Sequence, residues 1–243
     1  VEAATEYGVA VTYTPGANRV SVAEHALTLM LSLLKLVPQS MEVLKGGGWK
    51  SESLQASELT GKTVGIIGLG AAGSSLAELL RPFRTEILCF DPYADPEKIK
   101  EAGARPVDMD TLLRQSDVVS LHCQLCDETR GFIGRDQLKK MKKSAYLVNT
   151  ARGALVDEAA LAEALRERRI AGAGIDVFSV EPASKDTPLF ELDNVIFTPH
   201  MAGWTRECLA RETQGTTDSV IQILKGLEPD SLLNPRYTEN LKK

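Results

Sequence analysis

Three short stretches carry side chains that could act together on an oxygen or a carbonyl group: "VNTARG" with Arg152, "SVEP" with Glu181 and "TPH" with His200. Each follows an apolar run that reads as a buried strand. Arginine is among the residues least often buried, so Arg152 just beyond a core strand needs a reason. Its planar, permanently charged fork suits a carboxylate. Histidine gains and loses a proton near neutral pH, and a glutamate beside it would stabilise and orient the charged ring. Taken alone, Arg152 reads equally as a surface arginine, and His200 as an isolated histidine. A cation, a carboxylate and an imidazole at three successive strand ends make a constellation. The other two histidines read differently. His25 lies within an apolar helical run and reads as a packed side chain, while His122 ends a strand and reads as structural or cofactor-adjacent.

A second signature lies upstream. "VGIIGLGAAG" places Gly68, Gly70 and Gly73 in G-x-G-x-x-G, and Asp91 ends the next β-rich run. This is the dinucleotide fingerprint, with glycines for the tight turn, the approach of a pyrophosphate and helix packing. The helix N-terminus supplies free N–H groups to the phosphates. Asp91 would accept from ribose hydroxyls and repel a 2′-phosphate, which selects NAD over NADP. An NAD enzyme acting on a carbonyl needs a proton donor and acceptor, and His200 answers that need.

These residues require elements to hold them. Strands read at 63–68, 85–91, 104–107, 117–122, 144–149, 171–176 and 194–198, with helices around 71–83, 95–102, 108–115, 135–141 and 157–168. Such alternation predicts βαβ units and a doubly wound parallel α/β sheet, whose strand C-termini bind ligands. Pro199 takes the chain out of the last strand and places His200 there. Upstream, 9–13 reads as a short strand, and Ser21 with Glu24 as a capping box. The helix they open, to about residue 37, is apolar over most of its circumference, so a neighbouring domain or second subunit is expected to cover it. Pro38 and Gly46–Gly48 should bend and end it. A last helix reads at 204–225.

Bulk properties exclude other classes. A net charge of −5 with no basic cluster argues against nucleic acid or anionic membrane as a partner, and no 18-residue uncharged apolar run is present. The four cysteines include Cys123-x-x-Cys126 but no second such pair, so no metal site and no disulfide framework are expected, and the cysteines fit a reducing cytoplasm.

"GLGAAG", "VNTARGALVDEAALAEAL", "GAGIDVFSVEP" and "TPHMAG" together resemble the D-isomer-specific 2-hydroxyacid dehydrogenases, over residues 1 to about 235. The resemblance implies a Rossmann coenzyme domain at 15–204. It also implies remnants of a flavodoxin-like substrate domain at 1–14 and 205–243. It implies a triad of Arg152, Glu181 and His200. Cofactor contacts are implied at Gly68, Gly70, Ala71, Ala72, Gly73, Asp91, Thr150, Ala151, Arg152, Asp176, His200 and Gly203, with Asp176 on the nicotinamide carboxamide. Formate dehydrogenases carry Gln where this chain has Glu181, which argues against formate. Gln124 and Arg84 stand where proline and glycine are common, and about a hundred residues that precede this point in the family lie outside the sequence. The expected activity is interconversion of a 2-oxo acid and a D-2-hydroxy acid with NAD, in a homodimer joined through the outer face of the 21–37 helix. The alternatives are an NAD(H)-binding corepressor of the same family and an NAD-binding fragment without turnover. Trp204 reads as a pocket wall or as a buried helix-start residue.

Overall fold

The computed structural model describes residues 1–241, apart from the side chain of Ser53, so the last two residues of the expected C-terminal stretch lie outside the described residues. The chain divides into a larger unit, 19–202, and a smaller one formed by 1–18 with 203–243. The sequence-based boundaries lie at 14/15 and 204/205. Residues 14–18 turn back onto the C-terminal helix, where Arg211 Nε donates to Ala17 O at 2.7 Å.

In the larger unit seven strands form one sheet: β1 Thr63–Ile67, β2 Glu86–Phe90, β3 Arg105–Pro106, β4 Val118–Leu121, β5 Tyr146–Asn149, β6 Gly172–Ile175 and β7 Val195–Phe197. Their order is β3-β2-β1-β4-β5-β6-β7, and every pairing is parallel. Every strand read from the sequence within 63–198 is present, each shorter by one or two residues. The near-continuous apolar runs follow from burial on both faces. Val119, Leu121 and Leu147 point into one layer of core, and Val64, Ile66, Val118 and Val148 into the other.

Before the sheet come α1 (Glu2–Glu6, in the smaller unit), α2 (Arg19–Leu34) and α3 (Val37–Lys45); between the strands run α4 (Ala71–Leu80), α5 (Pro96–Glu101), α6 (Met109–Gln115), α7 (Arg135–Lys140) and α8 (Glu158–Arg166). Asp95, Asp108 and Asp157 cap α5, α6 and α8 by accepting from backbone N–H groups. The expected capping box at Ser21 and Glu24 does not form. α2 starts two residues earlier, which puts Ser21 inside its first turn, buried. The apolar circumference of α2 is covered on two sides within this unit, by α4 and by β5–β7, so that much of it needs no outside partner. Leu36 then turns the chain at φ 51°, and Pro38 stands in the first turn of α3, where its missing N–H costs no helical bond. Val37, Met41 and Leu44 of α3 are 42%, 53% and 60% exposed, and Trp49 beyond it 75%. No single helix among the described residues is long and apolar enough to cross a membrane.

In the smaller unit α9 (Arg206–Leu224) runs within two residues of its expected span, capped by Thr205. The expected strand at 9–13 is reduced to a bridge between Thr12 and Leu232: Tyr13 N donates to Ser231 O and Val11 O accepts from Leu233 N, while Val9 N turns back to Ala4 O. Buried Asn234 ties it down instead, accepting from Val11 N at 2.7 Å and donating to Val9 O at 2.9 Å. Trp204 is 71% exposed, which removes the buried-residue reading.

Candidate active site

Between β1 and β4 the strand order reverses, and there a cleft of about 650 Å³ opens at the strand C-termini, walled by Gly68, Gly70, Asp91, Tyr93, His122 and Cys123 among others. Gly68 has φ 91°, and a Cβ there would lie 2.6 Å from Cys123 N, so only glycine lets the loops after β1 and β4 meet. A Cβ on Gly73 would lie 2.2 Å from Gly68 O, which closes α4 onto the turn. Gly70 caps α4 without a side-chain bond, and nothing lies within 4 Å of where its Cβ would be. At this helix start Gly70 and Ala71 are exposed, Ala72 is half-buried and Gly73 is buried. Asp91 does more than the sequence suggests. Its Oδ2 accepts from Leu69 N at 2.8 Å, and its Oδ1 from Tyr93 N and Ala94 N. A carboxylate has about four acceptor positions, so one remains for a ribose hydroxyl.

Two buried atoms in this region have no partner among the described residues: His122 Nδ1, in the cleft wall, and Thr150 Oγ1, directly after β5. Buried polar atoms are rarely left so, and both would be satisfied by a polar ligand. The open helix end, the acidic residue and these orphan atoms fit a dinucleotide. His122 is held neutral, its pKa pushed down to about 4 by burial, with Nε2 2.9 Å from Ser120 Oγ. Burial likewise pushes the Cys123 thiol up to about 11.

The second group of residues follows β5, β6 and β7. His200 Nδ1 lies 2.7 Å from Glu181 Oε2, while Glu181 Oε1 accepts from Phe178 N at 3.0 Å. Partial burial pushes the Glu181 carboxyl up, but the bonds from His200 and Phe178 N–H outweigh it and hold the pKa below the ordinary value. Glu181 is thus an ionised acceptor, and Nδ1 of His200 carries a proton. Nε2 is left as the lone pair of the neutral ring. Half-exposed His200 sits at φ 52°, a conformation that costs a non-glycine residue about 1–2 kcal/mol. Beside the pair lies an apolar pocket of about 530 Å³, walled by Phe178, Pro182, Phe190, Phe197 and Pro199.

Arg152 is exposed, and its Nη1 donates to Ala151 O at 2.6 Å. It does not line that pocket, but the backbone joins the two places. Buried Asn149 shapes the turn, accepting from Ala151 N and donating to Arg152 O. Gly153 then packs against the next loop: a Cβ there would fall 1.9 Å from Phe178 C. Asn149 is a polar residue closing an apolar strand, and that signal could have revealed it.

Asp176 carries several bonds within the chain. Its carboxylate has no exposed surface. Oδ1 accepts from Thr198 Oγ1 at 2.5 Å and Met201 N at 2.9 Å, and Oδ2 from Ala202 N at 2.9 Å. Burial pushes its pKa up, but His25, Thr198 and the two amides outweigh this and hold it at about 2. In this structure Asp176 anchors the 198–202 loop. Gly203, also expected at the cofactor, begins the second stretch of the smaller unit.

Residues 27–202 match the model of the D-isomer specific 2-hydroxyacid dehydrogenase NAD binding domain. The chain belongs to the D-isomer specific 2-hydroxyacid dehydrogenase family. This dehydrogenase-family chain is 41% identical over 234 residues to D-3-phosphoglycerate dehydrogenase of Archaeoglobus fulgidus, covering 96% of itself and 44% of that protein. It is 40% identical to glyoxylate reductase of Aeropyrum pernix, covering 96% of itself and 72% of that enzyme. Among solved structures, D-lactate dehydrogenase of Lactobacillus jensenii with NAD+ superposes with a TM-score of 0.87 at 30% identity, covering 96% of this chain and 74% of that one. The chain thus spans about half the length of the phosphoglycerate dehydrogenases it matches. The family match also bears out the expected parallel sheet and NAD as the coenzyme.

Proposed function

We propose that this chain is the coenzyme-binding part of an enzyme that interconverts a 2-oxo acid and a D-2-hydroxy acid. The observation that carries this is the 2.7 Å contact of His200 with ionised Glu181, at the strand ends beyond a dinucleotide cleft. Bound NAD(H) supplies or accepts the hydride. In reduction, protonated His200 gives its Nε2 proton to the carbonyl oxygen as charge develops there. Glu181 stabilises the charged ring beforehand and fixes its orientation through Nδ1. In oxidation, neutral His200 takes the hydroxyl proton at Nε2. The Arg152 fork holds the substrate carboxylate and polarises the adjacent carbonyl. Asp91, with no cation supplied by Pro92, Tyr93 or Ala94, favours a free 2′-hydroxyl over a 2′-phosphate.

The partner is a small 2-oxo or 2-hydroxy acid and, for assembly, a second copy. The exposed apolar edge of α3 supports the homodimer, since Val37, Met41 and Leu44 share one helical face. Four free cysteines agree with a reducing cytoplasm. The test is NADH oxidation, followed by absorbance, across a panel of 2-oxo acids with the parent and with His200→Ala. Turnover should fall by about 10²–10⁴-fold in the variant while NADH affinity stays within threefold. Equal turnover in both would refute the assignment of His200.

A further inference from the structure

His25, which the sequence presents as a packed side chain, reaches the same loop as His200 from a different element. It projects from α2, and its Nε2 lies 2.9 Å from Thr198 Oγ1 and 3.5 Å from Asp176 Oδ1. Thr198 has one hydroxyl proton. At 2.5 Å from a carboxylate oxygen that can only accept, that proton lies between Thr198 and Asp176. The remaining contact of Thr198 Oγ1 must then be filled by a donor, and His25 Nε2 is that donor. The direction of each bond in the chain is thereby fixed: His25 Nε2–H to Thr198, Thr198 O–H to Asp176, and Met201 N–H and Ala202 N–H to Asp176. The Asp176 main chain also takes part, its oxygen accepting from His200 N at 2.7 Å.

We propose that His25 is a positioning residue for His200: by donating from Nε2 to Thr198 it completes the buried anchor that holds residues 198–202 in the conformation that presents His200 to Glu181. The proposal rests on the reading of His200 as the proton carrier, because only that reading makes the placement of its ring matter. The physical need is specific. His200 is held at φ 52°, a backbone state that persists only where surrounding bonds over-determine it. Asp176 bonds to both flanks of this residue, at Thr198 on one side and at Met201 and Ala202 on the other. Without the His25 donor, half-buried Thr198 Oγ1 would lose one of its two bonds within the chain, and its hydroxyl would be free to rotate away from Asp176. The charged or titratable groups at this loop are Asp176 and His25 beneath it and Glu181 beside His200. An apolar residue of the same volume in place of His25 would fill the space and leave the anchor incomplete.

The test needs neither substrate nor coenzyme, so its failure is distinct from failure of the functional reading. With three histidines in the chain, each imidazole can be assigned by nitrogen-15 NMR. In the unmodified protein at pH 7 the His25 proton should be found on Nε2, and the opposite tautomer overturns the proposal. Amide hydrogen exchange at Met201 and Ala202 should accelerate by about tenfold or more in His25→Leu, the change expected when one hydrogen bond of local stability is lost. Amides of the central strands β1 and β4 should exchange as in the parent. His25→Gln, which can still donate, should restore most of the protection. Thr198→Val cuts the same link from the other side and should reproduce the His25→Leu pattern even if that variant folds poorly. Unchanged exchange at Met201 and Ala202 in Thr198→Val, or equal acceleration in His25→Gln and His25→Leu, would mean that His25 only fills space.

Discussion

Gly153→Ala is the sharpest probe of how the site is assembled. A methyl group at this position would sit 1.9 Å from Phe178 C, 2.1 Å from Phe178 O and 2.3 Å from Ser179 N. All three atoms are backbone, so no rotamer change relieves the clash. To reach ordinary contact at 3.4 Å, one of the two loops must move by about 1.5 Å. If the Phe178 loop moves, its N–H leaves Glu181 Oε1, and the 2.7 Å contact of Glu181 with His200 is disturbed. Over-packing of this kind costs about 1–3 kcal/mol, and immovable backbone on both sides puts it near 3. For a unit of this size that lowers Tm by about 6–12 °C. Displacing catalytic groups by about 1 Å costs about 10²-fold in rate. Thermal unfolding followed by circular dichroism, with NADH titration and NADH-coupled turnover, reads these effects separately. NADH affinity should fall less than turnover, since the Gly68–Gly73 turn lies elsewhere in the unit. A Gly153→Ala protein with a Tm within about 1 °C of the parent and unchanged turnover would refute the close approach as the device that joins the Arg152 and Glu181 loops.

Three further outcomes are expected. Arg152→Lys keeps the charge but loses the fork; kcat/KM should fall by about 10²-fold with NADH affinity and Tm unchanged, because the side chain is exposed. A lower Tm with unchanged kcat/KM would make Arg152 a structural brace. Asp91→Ala should narrow a preference for NADH over NADPH of at least about tenfold, and should also loosen the glycine turn through loss of the Leu69 N–H bond, both visible by cofactor fluorescence and amide exchange. The Asp176 carboxyl is depressed from its ordinary 3.8 to about 2, so the stability it contributes is fully present above about pH 4 and is lost as pH falls through about 2. That difference corresponds to about 2 kcal/mol, and Asp176→Asn should flatten the acid limb of a stability–pH curve by this amount.

The sheet was legible because parallel strands buried on both faces write themselves as β-rich apolar runs, and the turns between them carry Asp caps and glycines. The dinucleotide cleft was legible for the same reason: Gly68 and Gly73 stand where backbone meets backbone, and no other residue fits. Three features were not. Ser21 and Glu24 have the spacing of a capping box, yet the turn before them starts the helix earlier, a choice made by the chain's path and not by local pattern. Residues 9–13 alternate like a strand, but a strand exists only with a partner, and the sequence does not say that Val9 N turns back to Ala4 O or that Val11 N and Val9 O bond the side chain of Asn234. The bond from His25 to Thr198 spans 173 positions and depends on how α2 crosses β6, where Leu29 meets Gly174. A local reading of the apolar helix cannot show which of its polar side chains meets a loop.

The sheet closes on its shortest strands. β3 has two residues and β7 three, and β3 carries Arg105 and a proline that has no N–H to give. An outer strand is where a foreign chain adds by hydrogen bonding, and brevity, charge and proline all blunt that template. Neither border of this sheet therefore offers a run of unpaired peptide groups long enough to recruit another strand. Ribbon-like growth through the sheet is disfavoured while the strands stay folded. A sheet-extended assembly seen after heating would accordingly report that β3 or β7 had peeled away and uncovered the longer strands β2 or β6 behind them.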